Sequence, residues 1–543
     1  MAPGCRRQLA GGVLIYKNVK GYTLAADSLV RFEALAVQHG RVLDYGKYDS
    51  LKKAFPWAVE VDGGNHALLP GFTDAHGHVM GLGYSRLHVD LVNIASLDKM
   101  VDKVAGYAKE NPKSAWIVGR GWNQVLWPEN RFPTAADLDK AVPDRPVFLR
   151  RVDGHAAVAN TQALRNAGIT DQTPDPQGGK IMRDAQGHAT GLLIDHAMQL
   201  VEKHVPPPTD DDMARALEKS LAELRSFGIT SVHDAGVDSR TWELYKRFAQ
   251  EGKLSTRIYA MIGGVGAEFD KLSANGPIDT LYNDRLSLRA VKLYADGALG
   301  SRGAALLQPY TDDPKNNGLL FYPPDTLHAM MAKAAGKGYQ VCVHAIGDRA
   351  NRVALDGFEK LNKQKPIAAA RHRIEHAQVV APADFKRFAE LGVIASVQPT
   401  HATSDMNMAE ARLGPQRVKG AYAWRTFVEN GVVVCSGSDF PVESANPLLG
   451  LQASVWRRDT TGKPKQGWYT EQALSRQEAF RAFTQHAAYA AHQEKVLGTL
   501  EKGKWADFVL VEHDPIVIGP NHIAQLRVLE TWVAGRNVYQ LPR

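Results

Sequence analysis

The stretch "LLPGFTDAHGHVM", residues 68–80, decides how this chain is read. An apolar run is broken by Pro70 and Gly71, restarts at Phe72 and finishes on His76 and His78 with Gly77 between them. It reads as a short buried strand. Side chains two apart on a strand share a side, so both imidazoles face the same way at its C-terminal end. Two ligands of one metal need this spacing on a strand; on a helix they would stand four apart. Gly77 keeps the other face free of bulk. The pair alone is weak support for a metal, because the chain holds 19 histidines. Its meaning depends on its company.

Seven further runs have the same texture: "GITSVHDAG" (228–236), "TRIYAMIGG" (256–264), "LRAVKLYADG" (288–297), "YQVCVHAIGD" (339–348), "HRIEHAQ" (372–378), "GVIASVQPT" (392–400) and "VVVCSGSDFP" (432–441). They are rich in Val and Ile, and helix-like stretches such as "DDMARALEKSLAELRSFG" precede several of them. Eight strand-and-helix units in succession predict an α/β fold, a (β/α)8 TIM-like barrel over residues 70–493. The first gap is far too long for one unit. Residues 90–218, rich in Trp, Pro and Asp with a strand of their own at "PVFLRRV", are expected to be a large insertion after strand 1 that covers the barrel mouth. "KHVPPPTDDDM" reads as a proline stop followed by an Asp-rich helix start.

The two ends share another texture. Residues 12–66 look all-β, and "GTLEKGKWADFVLVEHD" with "HIAQLRVLETWVAGRNVYQ" repeats the pattern near the C-terminus. Residues 1–69 plus 494–543 are therefore expected to form one small β-sandwich domain built from both termini.

Bulk composition narrows the function. There are 65 Lys and Arg against 58 Asp and Glu over 543 residues, with no basic stripe, so nucleic acid is not expected as a partner. No apolar run is long enough for a membrane span. The three widely spaced cysteines, Cys5, Cys342 and Cys435, make neither a disulfide framework nor a zinc ribbon. The protein is read as cytoplasmic, a signal peptide trimmed from its front being the alternative.

Chemistry in such a barrel sits at the C-terminal ends of the strands. There the later runs carry Lys292, His344, His376 and Asp439. Lys292 is the unusual member, because an unpaired ammonium in an apolar strand is costly. Either it sits in a buried salt bridge with Asp296 or Asp439, or it has lost its charge and become a ligand. Cys342, two before His344, would face the same side, and as a ligand it would change the metal assignment.

H-x-H, Lys, His, His and Asp on runs one, four, five, six and eight resemble the amidohydrolase superfamily. The words "LLPGFTDAHGH", "VKLYADGAL", "VHAIGDRA", "RIEHAQ" and "SGSDFP" are similar to its YtcJ-like branch, amidohydrolase family 3. So are "GW", "RFPTAADLD" and "DGHAAVAN" in the insertion and "LGTLEKGKWADFVLV" in the tail. The resemblance implies two divalent metal ions, zinc by default, with manganese, iron or nickel also suited to the donors. His76, His78 and Asp439 would hold the more buried ion and His344 and His376 the second. Lys292, as an N-carboxylysine, would bridge both. The implied reaction is cleavage of an amide, N-formyl or N-acyl C–N bond of a small molecule by a metal-activated hydroxide. Asp439 would be the catalytic acid–base. A homodimer is implied as well.

Other candidates rest on less. His155, in "RVDGHAAVAN", is expected to face the substrate, and Trp122, in "GRGW", to wall the pocket. Gly297, Gly300 and Gly303 follow the fourth run, where backbone amides are candidates to hold an anion. The aromatics of the insertion suggest a bulky or apolar amide. "YAMIGGVGAEFD" holds a G-x-G after a strand, but Ala267, Glu268 and Phe269 stand where the dinucleotide fingerprint needs its third glycine. The alternatives are hydrolysis of another bond (deamination, a lactone, a cyclic imide or a phosphoester) and a metal-free binding scaffold.

Overall fold

The computed structural model describes residues 12–25 and 28–542; Cys5 lies outside them. Eight strands make the parallel part of a nine-stranded sheet at the centre of the molecule; the ninth, Ile278–Leu281, pairs antiparallel at one edge. The eight are β1 (Phe72–Gly77), β2 (Ile229–Val237), β3 (Arg257–Gly263), β4 (Leu286–Tyr294), β5 (Gln340–Ala345), β6 (Arg373–His376), β7 (Ile394–Val397) and β8 (Val434–Ser436). Each of the eight runs contributes one. Neighbours pair in chain order and always in parallel. The result is a nearly closed (β/α)8 barrel of TIM type.

Just beyond the strands, backbone bonds link β8 to β1. Asp439 N donates to His76 O at 2.7 Å and His78 N to Phe440 O at 2.8 Å. Gly437 permits the approach, because a Cβ there would lie 2.4 Å from His76 N. The buried Asp74 carboxylate accepts from the amides of His76 and Ser438 and from the Ser438 hydroxyl. Burial pushes its pKa up to about 7 in spite of these donors.

The helix Asp210–Ser226 shows how the outer layer is made. Thr209 and Asp212 form a capping box behind three prolines, and Met213, Leu217, Leu221 and Leu224 make one apolar stripe. That stripe joins Phe72 and Ile229 in the main core. The helix therefore belongs to the barrel, although its first half falls inside the expected insertion. The proline stop and the cap place the junction ahead of the helix.

The insertion folds on its own sheet. Its six strands run in the order Gly179–Arg183, Ala189–Asp195, Ala156–Ala159, Val147–Arg151, Ile117–Trp122 and Val89–Asp90, with separate apolar cores. Near the termini, a four-stranded and a six-stranded sheet share a core of Tyr16, Leu35, Phe32, Leu68 and Phe508. The strand Ala67–Pro70 pairs there with Phe508–Val511, which joins the two ends of the chain. One helix, Tyr48–Ala54, interrupts the segment expected to be all-β. Among the described residues no helix is long and apolar enough to cross a membrane.

Candidate metal centre

Six titratable side chains from five strand ends arrive at the barrel mouth. His76 is wholly buried, and its ring lies 5.7 Å from that of His78 and 5.0 Å from that of His376. The His344 ring packs against the His376 ring at 4.5 Å. Asp439 Oδ1 stands 3.2 Å from His78 Nε2 and 3.7 Å from His76 Nε2. Lys292 Nζ lies 3.0 Å from His76 Nε2, beneath the surface, with the Tyr294 ring 4.7 Å away. Among the described residues it forms no ion pair with Asp296 or Asp439. The Asp296 oxygens instead accept from the amides of Ala305, Ile346 and Gly347 and so brace the loops after β4 and β5.

Local backbone explains how neighbouring side chains reach one place. β1 ends at Gly77, where a Cβ would lie 2.4 Å from the Phe440 ring. His376 and Asp439 both have left-handed backbone, with φ of 72° and 60°. For non-glycine residues this is a costly conformation that gathers at functional sites. In β6 it breaks the strand alternation, so Glu375 points into the barrel while His376 still reaches the mouth.

Electrostatics prepares these groups as ligands. Burial first, then the charge of Lys292, lowers the His76 pKa to about 4. Burial likewise holds His344 and His376 well below the usual histidine range. Burial alone would raise Asp439, but the surrounding His78, His76 and His376 rings hold it well below the usual carboxylate range. The imidazoles are thus neutral and the carboxylate ionised, which are the ligating forms. Their far nitrogens are held too. His76 Nδ1 donates to Glu375 and His376 Nδ1 to Gln398 Oε1, so the lone pair of each ring lies on Nε2, where that of His76 meets Lys292 Nζ. Metal-bound histidines need such partners. Glu375 in turn pairs with Arg373 at 2.7 Å, both fully buried.

Neutral imidazoles, an ionised carboxylate and a lysine amine at hydrogen-bond distance from one imidazole fit a divalent cation of the zinc class. His76, His78 and Asp439 each offer an atom within 4.8 Å of the others, and so do His376, His401 and Asp439. No group of this kind among the described residues contains cysteine. Cys342 lies lower in the barrel beside Tyr259 and Met261, its Sγ 3.5 Å from Gln340, and burial pushes its thiol pKa up.

Two partners escaped the sequence reading. Glu375 sits inside the quoted word "RIEHAQ", and alternation alone puts it opposite His376. His401 follows β7 on the helix Pro399–Asp405, where strand-end logic does not look. The signal available for His401 was its place just past the seventh run.

Residues between Val89 and Glu202 also line the site. His155 Nδ1 bonds to Asp195 Oδ1 at 2.7 Å, and its ring lies 5.1 Å from that of His344. A Cβ on Gly297 or Gly303 would come within 2.5 or 2.6 Å of Asp195 Oδ2, and one on Gly300 within 2.9 Å of Arg151 Nη1. The carboxylate these glycines meet is thus Asp195, a side chain of the insertion. Trp122 is not at the cavity. It is fully buried in the core of the insertion, its indole nitrogen donating to Leu149 O at 2.8 Å. A bulge at Gly121 shifts the register, so the cavity wall here is Arg120, Gly121 and Asn123. Barrel and insertion together enclose a cavity of about 1140 Å³ that reaches Lys292, His344 and Asp439.

The sequence profile described as "Amidohydrolase family" matches residues 59–539. YtcJ of Bacillus subtilis (strain 168), which is named as an amidohydrolase, is 34% identical, over 94% of this chain and 96% of its own. The N-substituted formamide deformylase of Arthrobacter pascens is 28% identical, over 93% of this chain and 94% of its own. Among solved structures, an uncharacterized metal-dependent hydrolase from Pyrococcus horikoshii OT3 superposes with a TM-score of 0.76 at 30% identity, covering 94% of this chain and 99% of that one. A profile that spans nearly the whole chain and a relative of matching length agree with the barrel: the chain is a hydrolase that belongs to the amidohydrolase family, in its YtcJ-like branch.

Proposed function

We propose that this hydrolase cleaves a C–N bond of the N-formyl or N-acyl type in a small amide, with two divalent cations, zinc by default, held by His76, His78, Lys292, His344, His376 and Asp439. One observation carries the reading: Lys292 Nζ sits 3.0 Å from the neutral His76 Nε2 in a buried cage with Asp439, without a carboxylate ion pair among the described residues. A buried ammonium left this way is expensive. Once the ammonium has given up its proton, attack of the amine on carbon dioxide forms a C–N bond and releases a second proton. The resulting N-carboxylysine replaces a positive charge with a negative one and offers two hard oxygens.

Bound cations supply a nucleophilic hydroxide at neutral pH and polarise the scissile carbonyl. The chain's own groups do the rest. Asp439 Oδ1 faces His76 and His78, while Oδ2 stands 3.9 Å from His401 Nε2. Oδ2 is the oxygen that takes the nucleophile's proton and hands it to the departing nitrogen. Glu375 and Gln398 fix the His76 and His376 rings. His155, oriented by Asp195, faces the substrate from the insertion. The similarity to the A. pascens deformylase supports N-substituted formamides as the first class to test.

The test is turnover of a panel of N-formyl and N-acyl amines by zinc-loaded protein, with metal analysis. Amine release and about two ions per chain are expected. A carbamate carbon signal after growth on ¹³C-bicarbonate is expected to vanish in Lys292→Ala. No turnover of any amide by metal-loaded protein would sink the reading.

A further inference from the structure

The cavity wall carries a cation that the proposed chemistry leaves unused. Arg120 lies on the insertion strand Ile117–Trp122 and lines the cavity. Its Nη2 donates to Val152 O at 2.8 Å, and its Nε is buried with no hydrogen-bond partner. Among the described residues it has no carboxylate in ion-pair contact. Its neighbours do: Arg150 pairs with Glu202, and Arg151 pairs with Asp153. Arg120 and Arg150 are direct register partners on adjacent parallel strands, so two guanidinium groups stand side by side on this wall. Like charges placed so repel one another.

The left-handed turn at Gly154 borders the fork: φ is +77° there, and a Cβ would lie 3.5 Å from Arg120 Nη2. The bulge at Gly121 separates the fates of two adjacent side chains, sending Trp122 into the core and leaving Arg120 on the cavity. Burial first, then the charge of Arg150, draws the Arg120 pKa down to about 10, so it keeps its charge at neutral pH. Asp439 and Asp153, which line the same cavity, act on it in the opposite direction. Asp153 is already held by Arg151, and Asp439 belongs to the cage. A half-buried cation whose polar partner is a carbonyl and not a counter-charge is costly, and an anionic ligand would complete it.

We propose that Arg120 binds a carboxylate on the substrate, so that the enzyme prefers amides bearing an acid group, N-acylated amino acids among them, to neutral amides. A carboxylate matches a single planar fork in two parallel hydrogen bonds. Asp153, Asp195 and Asp439 around the same cavity disfavour a doubly charged phosphate. This rests on the reading of the cavity as the substrate site, and its test does not depend on turnover.

Holoenzyme is titrated calorimetrically with the N-methanesulfonyl derivatives of glycine and of both enantiomers of phenylalanine, each as the free acid and as the primary amide. The sulfonamide replaces the acyl bond on the amino nitrogen, and chromatography after each titration checks that the primary amide is intact. In the wild-type protein the acid is expected to bind roughly 10- to 100-fold more tightly than its amide, the scale of a charge-assisted pair. Arg120→Met removes that ratio, and Arg120→Lys restores part of it. The ratio is taken within each protein, so a general loss of affinity does not imitate the effect, and the Lys variant answers for any Met variant that fails to fold. Equal binding of acid and amide, no binding of either, or an undiminished preference in Arg120→Met overturns the proposal. If the preference appears while no amide is ever hydrolysed, the proposed reaction fails and this subsite stands.

Discussion

The barrel rim and the insertion above it line one cavity, yet they are built differently. At the rim, the ligand candidates lie at or within a few residues of the ends of short buried strands, so the ladder beneath them largely sets their positions, with left-handed backbone at His376 and Asp439. In the insertion, cavity residues sit on loops, on a bulge and at a strained turn: His155 follows a strand, Arg120 precedes Gly121, and Asp195 has φ 48°. A ladder of eight parallel strands delivers chemistry by repetition. The mixed sheet of the insertion delivers it by exception. Substitutions at the rim should therefore abolish function and metal binding together, whereas those in the insertion should separate the two.

The largest effect is expected at Lys292 and Asp439. Lys292→Ala and Asp439→Asn should each lower kcat/KM by about 10⁴-fold or more, the scale seen when a member of a catalytic unit is removed. Metal content measured by mass spectrometry should fall below two ions per chain. Full metal occupancy in both variants would erase the distinction drawn here, since the rim would then tolerate what only the insertion should.

Glu375 comes next and is read through stability. It lies wholly buried between the His76 ring and the Arg373 guanidinium, which also donates to Ala75 O and Ser396 Oγ. Glu375→Gln leaves that cation inside the barrel without its counter-charge. A loss of about 3–5 kcal/mol in urea unfolding is expected. A loss below about 1 kcal/mol would show that the other hydrogen bonds of Arg373 suffice.

The same contrast explains what the sequence discloses. The barrel is legible because its strands recur as short apolar runs, five of which carry the titratable residues of the constellation, and because parallel order needs no pairing information beyond chain order. The two sheets near the termini share one β texture, which is why their strands are readable from both ends, yet the helix Tyr48–Ala54 is hidden in it. Glu375 is hidden by the left-handed His376, since alternation discards one of two adjacent residues as soon as the other is chosen. Trp122 misleads for the mirror reason. Its motif lies beside the cavity, but a one-residue register shift puts Arg120 and Trp122, which would share a face of a regular strand, on opposite sides, and register is a property of two strands. Gly297, Gly300 and Gly303 announce a close approach without naming what approaches. Only the fold supplies Asp195 and Arg151.

A smaller change sharpens the insertion side. Asp195→Asn keeps the shape of the carboxylate but weakens its bond to His155 Nδ1, now 2.7 Å long. Loosening a group beside the reacting bond costs up to roughly 100-fold in rate. A fall of roughly 10- to 100-fold in kcat/KM at unchanged metal content is expected. Loss of metal with loss of rate would show that the insertion is part of the cage and not a cover over it.

The smallest effect separates core from cavity inside the insertion itself. Trp122 is fully buried against Trp127 and Phe132, with ring centroids 6.3 Å away in both cases, and its one polar atom is spent on Leu149 O. Trp122→Phe keeps an aromatic ring in that space but deletes the donor and leaves the carbonyl without it. The lost hydrogen bond and the small void together are worth about 1–2 kcal/mol of stability. Because the bulge turns this side chain away from the cavity, kcat/KM for any substrate should stay within about twofold, a margin well under 1 kcal/mol. Thermal unfolding and steady-state kinetics on the same preparation measure both numbers. A tenfold change in kcat/KM with unaltered melting would return Trp122 to the substrate and would mean that the register at Gly121 shifts when substrate enters.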